Sequence, residues 1–205
     1  MAREFSLMQA HPWHGFSPGE DCPEELLAYI EIVPLDQVKY EIHKPSGLMM
    51  IDRVQRYSSY CPTLYGFIPR TYCDTAIARL AKKGAPAVEK GDGDPLDICV
   101  ITEATINRSS ILVQAKPIGG FCLIDHGEAD DKIIAVLADD PVFSDLASIE
   151  DLPVQYLERI KHYFLSYKTM PGEEAKTSIA YVYGREGAYE VINAARDDYR
   201  RCYSD

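Results

Sequence analysis

Three aspartates within six residues are the clearest candidates for chemistry in this chain. They lie in the run Gly91-Asp92-Gly93-Asp94-Pro95-Leu96-Asp97. The glycines permit a tight turn and Pro95 fixes the backbone, so the carboxylates should enter one small volume. At ~5 Å and an effective dielectric of about 20, each pair of like charges repels by roughly 3 kcal/mol. The run therefore predicts a site for a hard cation such as Mg²⁺ or Ca²⁺, with a solvated acidic hairpin loop as the alternative.

A second acidic cluster occupies residues 125–132. Asp125 ends one predicted strand, and Asp130 and Lys132 open the next. Alternation along a strand places Asp130 and Lys132 on the same face. The cluster predicts further metal ligands, although an ordinary polar hairpin loop has the same composition.

Basic and aromatic side chains accompany the two acidic clusters. Lys39 and Glu41 share one face of a predicted strand, which could also be the solvated side of a sheet. Arg53 lies at a strand end, and Tyr167-Lys168 closes a predicted helix, where a lysine often interacts with the helix dipole. Together these residues fit a site where several divalent metals and cationic side chains bind a highly charged phosphate. Phosphoryl transfer to water requires such groups.

Composition narrows the class of protein. The chain has 205 residues, enough for one large domain or two small ones, and a formal net charge of −11. A nucleic-acid partner is not expected, because such partners need a clustered basic face. No apolar run has the length of a membrane span and no signal peptide is apparent, so we expect a cytoplasmic protein without a membrane partner. The six cysteines form no C-x-x-C pair and are expected to be free thiols.

Hydrophobic periodicity predicts an α+β fold. Alternating runs predict strands at 29–33, 38–42, 48–53, 96–102, 111–116, 120–124, 132–138 and 178–183. Helices are predicted at 152–168, capped by Asp151, and at 185–201. Short strands separated by Gly, Pro, Asn and Asp favour a small closed barrel. We predict a single domain over 1–205, with an N-terminal arm at 1–24 and a surface insertion at 70–90 that contains helical sequence.

The order and spacing of these motifs resemble the soluble inorganic pyrophosphatases of family I, over roughly residues 25–170. The signature D-G-D-P-x-D is present as Asp92-Gly93-Asp94-Pro95-Leu96-Asp97. The family's E…K-Y-E run is matched by Glu31…Lys39-Tyr40-Glu41. The later D-x-x-x-x-D-x-K is Asp125…Asp130-Asp131-Lys132, and the helical Y-K is Tyr167-Lys168. Agreement of several separate motifs makes the resemblance specific.

The resemblance implies a role for each matched residue. The implied metal ligands are Asp92, Asp97, Asp125 and Asp130, with Glu31 and Glu41 holding outer waters. Asp94 would be the general base on a water or hydroxide between two metals. The implied phosphate-binding residues are Lys39, Arg53, Lys132, Tyr167 and Lys168, with Lys39 and Arg53 on the leaving group. Tyr65 matches a second active-site tyrosine.

The resemblance also implies a fold, a cofactor and a reaction. The fold would be a five-stranded OB-like closed β-barrel with flanking helices, and the cofactor several Mg²⁺ ions per site. Pyrophosphate would be hydrolysed to two phosphates, and the chain would form a homo-oligomer. Two alternatives are a metal-dependent hydrolase of other diphosphates or polyphosphates and a non-catalytic module that binds divalent cations.

The chain departs from the family pattern near the predicted site. Cys61 stands where the family's first active-site tyrosine falls, Leu64 replaces an asparagine and His126 replaces an acid. Three interpretations of Cys61 remain open. It could be inert packing with Tyr60 turned inward to supply the hydroxyl, a reactive thiol beside the site, or a position where the hydroxyl is missing.

Overall fold

The computed structural model describes residues 10–55, 57–170 and 172–203. The arm predicted at 1–24 therefore lies partly outside the described residues. The strands are β1 (Leu26–Ile32), β2 (Val38–Ile42), β3 (Met49–Val54), β4 (Leu64–Phe67), β5 (Asp97–Ile101), β6 (Ile111–Asp125), β7 (Glu128–Ala129), β8 (Lys132–Leu137) and β9 (Thr177–Gly184). The helices are α1 (Thr75–Ala81), α2 (Val154–Ser166) and α3 (Arg185–Tyr203).

A mixed seven-stranded sheet forms the centre of the fold. Its strands follow the order β1-β4-β5-β8-β6-β7, and β6 pairs in addition with β1 and β9. Strands β5 and β8 are parallel and the other pairs are antiparallel. Strands β2 and β3 form a separate antiparallel hairpin. Helices flank the sheet, so the predicted α+β class is confirmed.

Strand β6 differs most from the sequence-based expectation. Two strands were expected, at 111–116 and 120–124, because Pro117 and two glycines interrupt the alternation between them. The structure has one strand of 15 residues, with an irregularity between Pro117 and Gly119 in its pairing with β8. A bulge of this kind lets a strand continue past a residue that cannot donate to the ladder. The short strand β4, which no prediction included, pairs with β1 and β5.

Helix α2 begins later than predicted and without the predicted cap. Asp151 lies in a short 3₁₀ helix, Ile149–Asp151, and its Oδ2 accepts hydrogen bonds from the N–H groups of Ala147 (3.2 Å) and Ser148 (3.0 Å). Pro153 precedes the first turn of α2, where its missing N–H costs nothing. The predicted apolar stripe is present, since Ile160 and Phe164 are buried.

The segment 70–90 contributes several buried residues to the core, so its predicted placement as a surface insertion is wrong. Ile77, Ala78 and Ala81 of α1 are buried in the main core cluster, together with Cys73 and Val88. Helix α1 itself was correctly indicated by the sequence. The lysines of this segment predict an exposed face. Only three apolar residues of the short helix are buried, which is too few to give a clear amphipathic pattern.

Asp198 connects α3 to α1 and gives a testable prediction. The side chain is fully buried, and its carboxylate accepts hydrogen bonds from the N–H groups of Asp74, Ala76 and Ile77 at 3.0–3.2 Å. Asp198→Ala would leave these donors at the start of α1 without a partner, so we expect a loss of about 3 kcal/mol in the free energy of unfolding.

Urea denaturation would measure this loss, with Asp197→Ala as the matched control. Asp197 is exposed and pairs only with Arg200, at 2.7 Å, in the described part of the chain. Its replacement should change stability by less than about 1 kcal/mol. Equal losses in the two variants would show that the Asp198 cap does not stabilise the fold.

Candidate active site

One pocket of about 370 Å³ gathers nearly all the side chains that the sequence singled out. Twelve of the thirteen predicted site residues line it: Glu31, Lys39, Glu41, Tyr65, Asp92, Asp94, Asp97, Asp125, Asp130, Lys132, Tyr167 and Lys168. Arg53 is the exception. Eight carboxylates and four lysines line this pocket. Its walls therefore carry twice as many acidic as basic groups.

Strand register brings the two acidic clusters together. In the parallel pair β5/β8, Asp97 lies directly opposite Lys132. Lys132 Nζ donates to Asp97 Oδ2 (2.5 Å) and also contacts Asp130. Tyr65 of β4 donates its hydroxyl to the same Asp97 oxygen at 2.5 Å. Polar side chains from β4, β5 and β8 therefore meet at Asp97 in the pocket.

The acidic turn is held by the segment that precedes it. The N–H of Cys73 donates to the carbonyl of Asp94 (2.8 Å), and the N–H of Gly93 donates to the carbonyl of Cys73 (3.0 Å). Gly93 has φ +75°, which a side chain would disfavour. A Cβ on Gly91 would lie 2.4 Å from the backbone of Cys73, so only glycine fits there. Residues 73–74 therefore fix where the carboxylates point.

Burial without enough positive charge dominates the electrostatics of the turn. Burial, together with the nearby Asp130, raises the pKa of Asp92 to about 9, while Lys132 opposes the shift. Burial also raises the pKa of Asp97. Burial alone would lower the pKa of Lys132, but Asp130, Asp97 and Asp92 hold it well above its usual value. One buried lysine does not balance the carboxylates around it.

Glu31 adds a further buried carboxyl group to the same pocket. Burial raises the pKa of Glu31 to about 8, although the N–H of Ile42 donates to its Oε1 at 2.8 Å. This hydrogen bond also ties the β2–β3 hairpin to β1. The protein alone therefore stabilises the ionised form of Glu31 poorly.

The β2–β3 hairpin carries a cationic cluster organised by Asp52, a residue that sequence reasoning missed. Asp52 Oδ2 accepts from Lys39 Nζ (2.9 Å) and from Arg53 Nη1 (2.7 Å). Burial would lower the pKa of Lys39, but its bonds to Asp52 and Glu41 raise it. The register shifts between Lys39 and Tyr40, which leaves Asp52 as an extra residue between two paired positions. No sequence pattern marks such a bulge.

Arg53 lies beside the pocket and retains donor capacity. Its guanidinium carbon is 5.6 Å from the centroid of the Tyr167 ring. Its Nη2 is buried and has no hydrogen-bond partner among residues 10–55, 57–170 and 172–203. A buried donor without a partner is costly. The guanidinium is therefore suited to donate hydrogen bonds to an anion that binds next to Tyr167.

An ion pair between Lys168 and Asp125 also lines the pocket. Lys168 Nζ donates to Asp125 Oδ2 at 2.5 Å and lies 5.2 Å from the Tyr167 ring centroid. Burial opposes ionisation of Asp125, but the hydrogen bond and charge of Lys168 lower its pKa below the usual value. His126, at 2.8 Å from Asp125, also lines the pocket.

Two further charged residues reach the pocket: Lys44, which no prediction included, and Glu128, which lies in the second acidic cluster but was not among the predicted ligands. Lys44, in the β2–β3 turn, contacts the carboxylate of Asp94. Glu128, on β7, pairs with Lys90 at 2.5 Å. Both lie next to predicted residues, but only the folded chain shows that the β2–β3 turn approaches the acidic turn.

The chemistry of the donor set fits divalent cations. Within the described residues, no three His, Cys, Asp or Glu side chains already surround one point as a preformed ion cage. Lysines pair with several of the carboxylates instead. Burial raises the pKa values of Glu31 and Asp92, and Asp130 contributes to the shift of Asp92, so positive charge in the pocket would stabilise the ionised form of both groups. Hard cations supply that charge and prefer oxygen ligands.

Comparison with known proteins gives a consistent result. The family model described as "Inorganic pyrophosphatase" matches residues 28–200. A curated inorganic pyrophosphatase of Chlamydia caviae is 48% identical over 205 residues, which cover 97% of this chain and 95% of that protein. The chain belongs to the inorganic pyrophosphatase family.

Solved structures of inorganic pyrophosphatases share the fold. The type I enzyme of Toxoplasma gondii aligns with a TM-score of 0.81 and 27% identity, over 95% of this chain and 89% of that one. The enzyme of Thermus thermophilus aligns with a TM-score of 0.78 and 26% identity, over 93% and 99% of the two chains. The resemblance to family I pyrophosphatases found in the motifs is thereby confirmed.

Cys61 distinguishes this member of the pyrophosphatase family from the expected pattern. The side chain is buried, does not line the pocket, and its Sγ is 3.9 Å from Thr63 Oγ1. Burial raises the pKa of its thiol to about 11, so the thiolate is scarce at neutral pH. Tyr60 is 49% exposed and is not turned into the pocket. Among the three interpretations, the compensating Tyr60 and the reactive thiol are both wrong.

We therefore expect this pyrophosphatase-family chain to tolerate Tyr60→Phe. The variant removes a hydroxyl from an exposed ring that lies outside the pocket, so its rate of pyrophosphate hydrolysis should equal that of the unaltered protein. In a Cys202→Ser background, which removes the exposed thiol, a thiol-blocking reagent should likewise leave the rate unchanged, because Cys61 is buried and inaccessible. A clear fall in rate in either experiment would place Tyr60 or Cys61 beside the chemistry.

A helix that crosses a membrane must be both long and predominantly apolar. In the described part of the chain, no helix combines the length and the apolar composition that crossing a bilayer requires.

Proposed function

We propose that the chain hydrolyses pyrophosphate to two phosphates, with Mg²⁺ as its cofactor. One observation carries the proposal: the pocket presents eight carboxylates, four lysines and, at its side, Arg53. A highly charged anion would be repelled by these carboxylates unless divalent cations entered with it or before it. The names of the homologous proteins support the same substrate.

Six carboxylates are proposed to hold the cations. They are Glu31, Glu41, Asp92, Asp97, Asp125 and Asp130. Bound cations activate water and neutralise charge on phosphate oxygens. Asp97 receives bonds from both Tyr65 and Lys132, which fix the orientation of its carboxylate. The carboxylates around Lys132 keep it protonated, which suits it to bind a phosphate oxygen.

Asp94 is proposed as the base that accepts the proton of the attacking water. Its side chain is 46% exposed, against 20% for Asp97, and it contacts Lys44. Lys39, Arg53, Lys132, Tyr167 and Lys168 are proposed to bind phosphate oxygens. Asp52 holds the side chains of Lys39 and Arg53 close together. Both positively charged groups can therefore bind the same leaving phosphate.

The finer architecture and assembly also belong to this proposal. The pairing of β6 with both β8 and β1 supports a five-stranded OB-like closed barrel made of β1, β4, β5, β8 and β6. A homo-oligomer and a cytoplasmic location remain proposals based on the family resemblance.

Phosphate release from pyrophosphate tests the proposed function. Release should require Mg²⁺, stop on addition of EDTA, and be much slower with ATP or tripolyphosphate as substrate. A faster reaction with tripolyphosphate would favour a general polyphosphate hydrolase instead. No release from any substrate in the presence of Mg²⁺ would leave only a cation-binding role.

Metal binding should also stabilise the fold, and more strongly at higher pH. A carboxyl group with a raised pKa stabilises the fold while it is protonated, and this contribution is lost as pH rises through the raised value. For Asp131, Glu31 and Asp92 those values are about 7, 8 and 9. The metal-free protein should therefore lose stability between about pH 4 and pH 9.

Thermal unfolding in EDTA and in millimolar Mg²⁺ would measure both effects. Free metal at about 100 times its dissociation constant adds ~2.7 kcal/mol. For a domain of this size, that corresponds to a rise in Tm of about 5–10 °C. The rise should be larger at pH 8.5 than at pH 6, because protons compete for the same carboxylates. Identical curves with and without Mg²⁺ would contradict the metal site.

A further inference from the structure

A second pocket, of about 510 Å³, lies between the N-terminal segment and α3. Its walls include His14, Arg70, Arg196, Tyr199, Arg200 and Tyr203, and it shares no lining residue with the candidate active site. This volume lies within the usual range for small-molecule sites. The pocket plays no part in the proposed reaction.

The charge of this pocket is opposite to that of the whole chain. Three arginines line it, and no carboxylate does so within residues 10–55, 57–170 and 172–203, although the chain has a net charge of −11. Arg196 and Arg200 are four residues apart on α3, a spacing at which like charges destabilise a helix. Arg200 pairs with Asp197, which does not line the pocket, at 2.7 Å, whereas no described carboxylate pairs with Arg70 or Arg196. A bound anion would supply these two guanidinium groups with the missing negative charge.

The arginines are held from one side and keep other donors free. Arg70 has φ +51°, and its N–H and Nε donate to the carbonyls of Trp13 (2.9 Å) and His14 (3.1 Å). Arg196 Nη1 donates to the carbonyl of Cys22 at 3.0 Å. A non-glycine residue at positive φ is uncommon and often marks a functional position. Each guanidinium keeps at least one nitrogen without a hydrogen bond among the described residues.

An aromatic wall completes the pocket and supplies a reporter. Tyr199 and Tyr203 have ring centroids 5.0 Å apart, and Tyr203 is 5.3 Å from the ring of Trp13. Trp13 is the only tryptophan in the chain and is buried. Its fluorescence should therefore respond to a charged ligand that contacts Tyr203.

The geometry points to a second anion site: this pocket binds a phosphate-bearing anion of two or more negative charges without a metal ion. Guanidinium groups match phosphate oxygens in geometry and charge. The anion could be a bare phosphate chain or a nucleoside phosphate, whose base would stack on Tyr203. Because the active-site pocket is acidic, only the arginine pocket should take up such an anion when metal is removed.

Titration of the full chain in EDTA tests this site, with Trp13 fluorescence as the readout. Tripolyphosphate should give a saturable change, and Arg200→Gln should weaken its apparent affinity by about tenfold or more. Arg79→Gln, an exposed arginine of α1 outside the pocket, is the matched control and should bind as the unaltered protein does. Hydrolysis of pyrophosphate with Mg²⁺ should be unchanged in Arg200→Gln, which separates this site from the proposed function.

A parallel titration with ADP distinguishes the two sources of phosphate. Tighter binding of ADP would identify a nucleoside phosphate, and equal or tighter binding of tripolyphosphate would identify the phosphate chain alone. The proposal is overturned if neither probe gives a saturable change, if sodium chloride of equal ionic strength gives the same change, or if Arg200→Gln binds normally. A change of mass in solution for Arg200→Gln, without binding of either probe, would identify a subunit contact and also overturn it.

Discussion

Asp97→Asn is expected to lower kcat for pyrophosphate hydrolysis by ~10⁴-fold or more. A decrease of ~10⁴-fold is the upper end of the range usually seen when a general base is lost. Asp97 is the first residue of β5, receives bonds from Tyr65 and Lys132, and lies close to the carboxylates of Asp130 and Asp92. Asparagine keeps the shape but removes a charge that is proposed to hold cations. The expected Mg²⁺-induced rise in Tm should shrink in the same variant.

Asp94→Asn should lower kcat by about 10²–10⁴-fold, the usual range for loss of a general base, and leave Mg²⁺ binding nearly intact. The two aspartates differ in exposure and partners, since the Asp94 side chain is 46% exposed, against 20% for Asp97, and contacts Lys44. Measuring kcat and the Mg²⁺ dependence of Tm for both variants separates the roles. Asp145→Asn, an exposed aspartate outside the pocket, is the control and should retain full activity. Equal weakening of Mg²⁺ binding by Asp94→Asn and Asp97→Asn would contradict the assignment of Asp94 as base.

Replacing residues 71–89 with a short Gly/Ser linker should abolish folding. The segment supplies Ile77, Ala78 and Ala81 to the main core, and Cys73 holds the backbone of the acidic turn. Removing them uncovers the core and releases Asp94. The shortened protein should lack a cooperative unfolding transition and pyrophosphate hydrolysis. A folded, active product would mean that the remaining chain closes the core without α1.

Point variants make this prediction quantitative where the deletion yields no protein. Ile77→Ala should lower the free energy of unfolding by about 2–5 kcal/mol, because it empties a fully buried position. Lys82→Ala, at an exposed position just after α1, should change it by less than about 0.5 kcal/mol. Urea denaturation of both variants would measure the contrast. Similar small losses would contradict the placement of α1 in the core.

Local sequence was sufficient for much of the site because the groups come in short motifs. The acidic turn was predictable because glycine, proline and three aspartates within a few residues leave few other arrangements. Alternation gave β2 with its observed bounds and indicated that Lys39 and Glu41 share a face. These features depend on neighbours in the chain, and their physics is local.

Features set by distant pairing could not be predicted from the sequence in the same way. The contact of Lys132 with Asp97 depends on the parallel register of β5 and β8, and alternation alone does not fix a register across a long connection. Asp52 reaches Lys39 only because of the bulge in the β2–β3 hairpin. The burial of α1 depends on packing against α3, which follows it by more than a hundred residues.

The cap that Asp198 places on α1 has a consequence for the order of events during synthesis. Asp198 follows every residue of the candidate active site in the chain, so a ribosome produces the acidic turn long before the carboxylate that fixes the neighbouring helix. Bringing Asp198 to α1 closes a loop of more than a hundred residues, which has an entropic cost. The contacts that offset this cost form only after α3 has been synthesised and has docked. A nascent chain ending before Asp198 would hold all the predicted metal ligands and still lack a fixed acidic turn. Competence to bind metal should therefore be acquired late, in a single step that coincides with docking of α3.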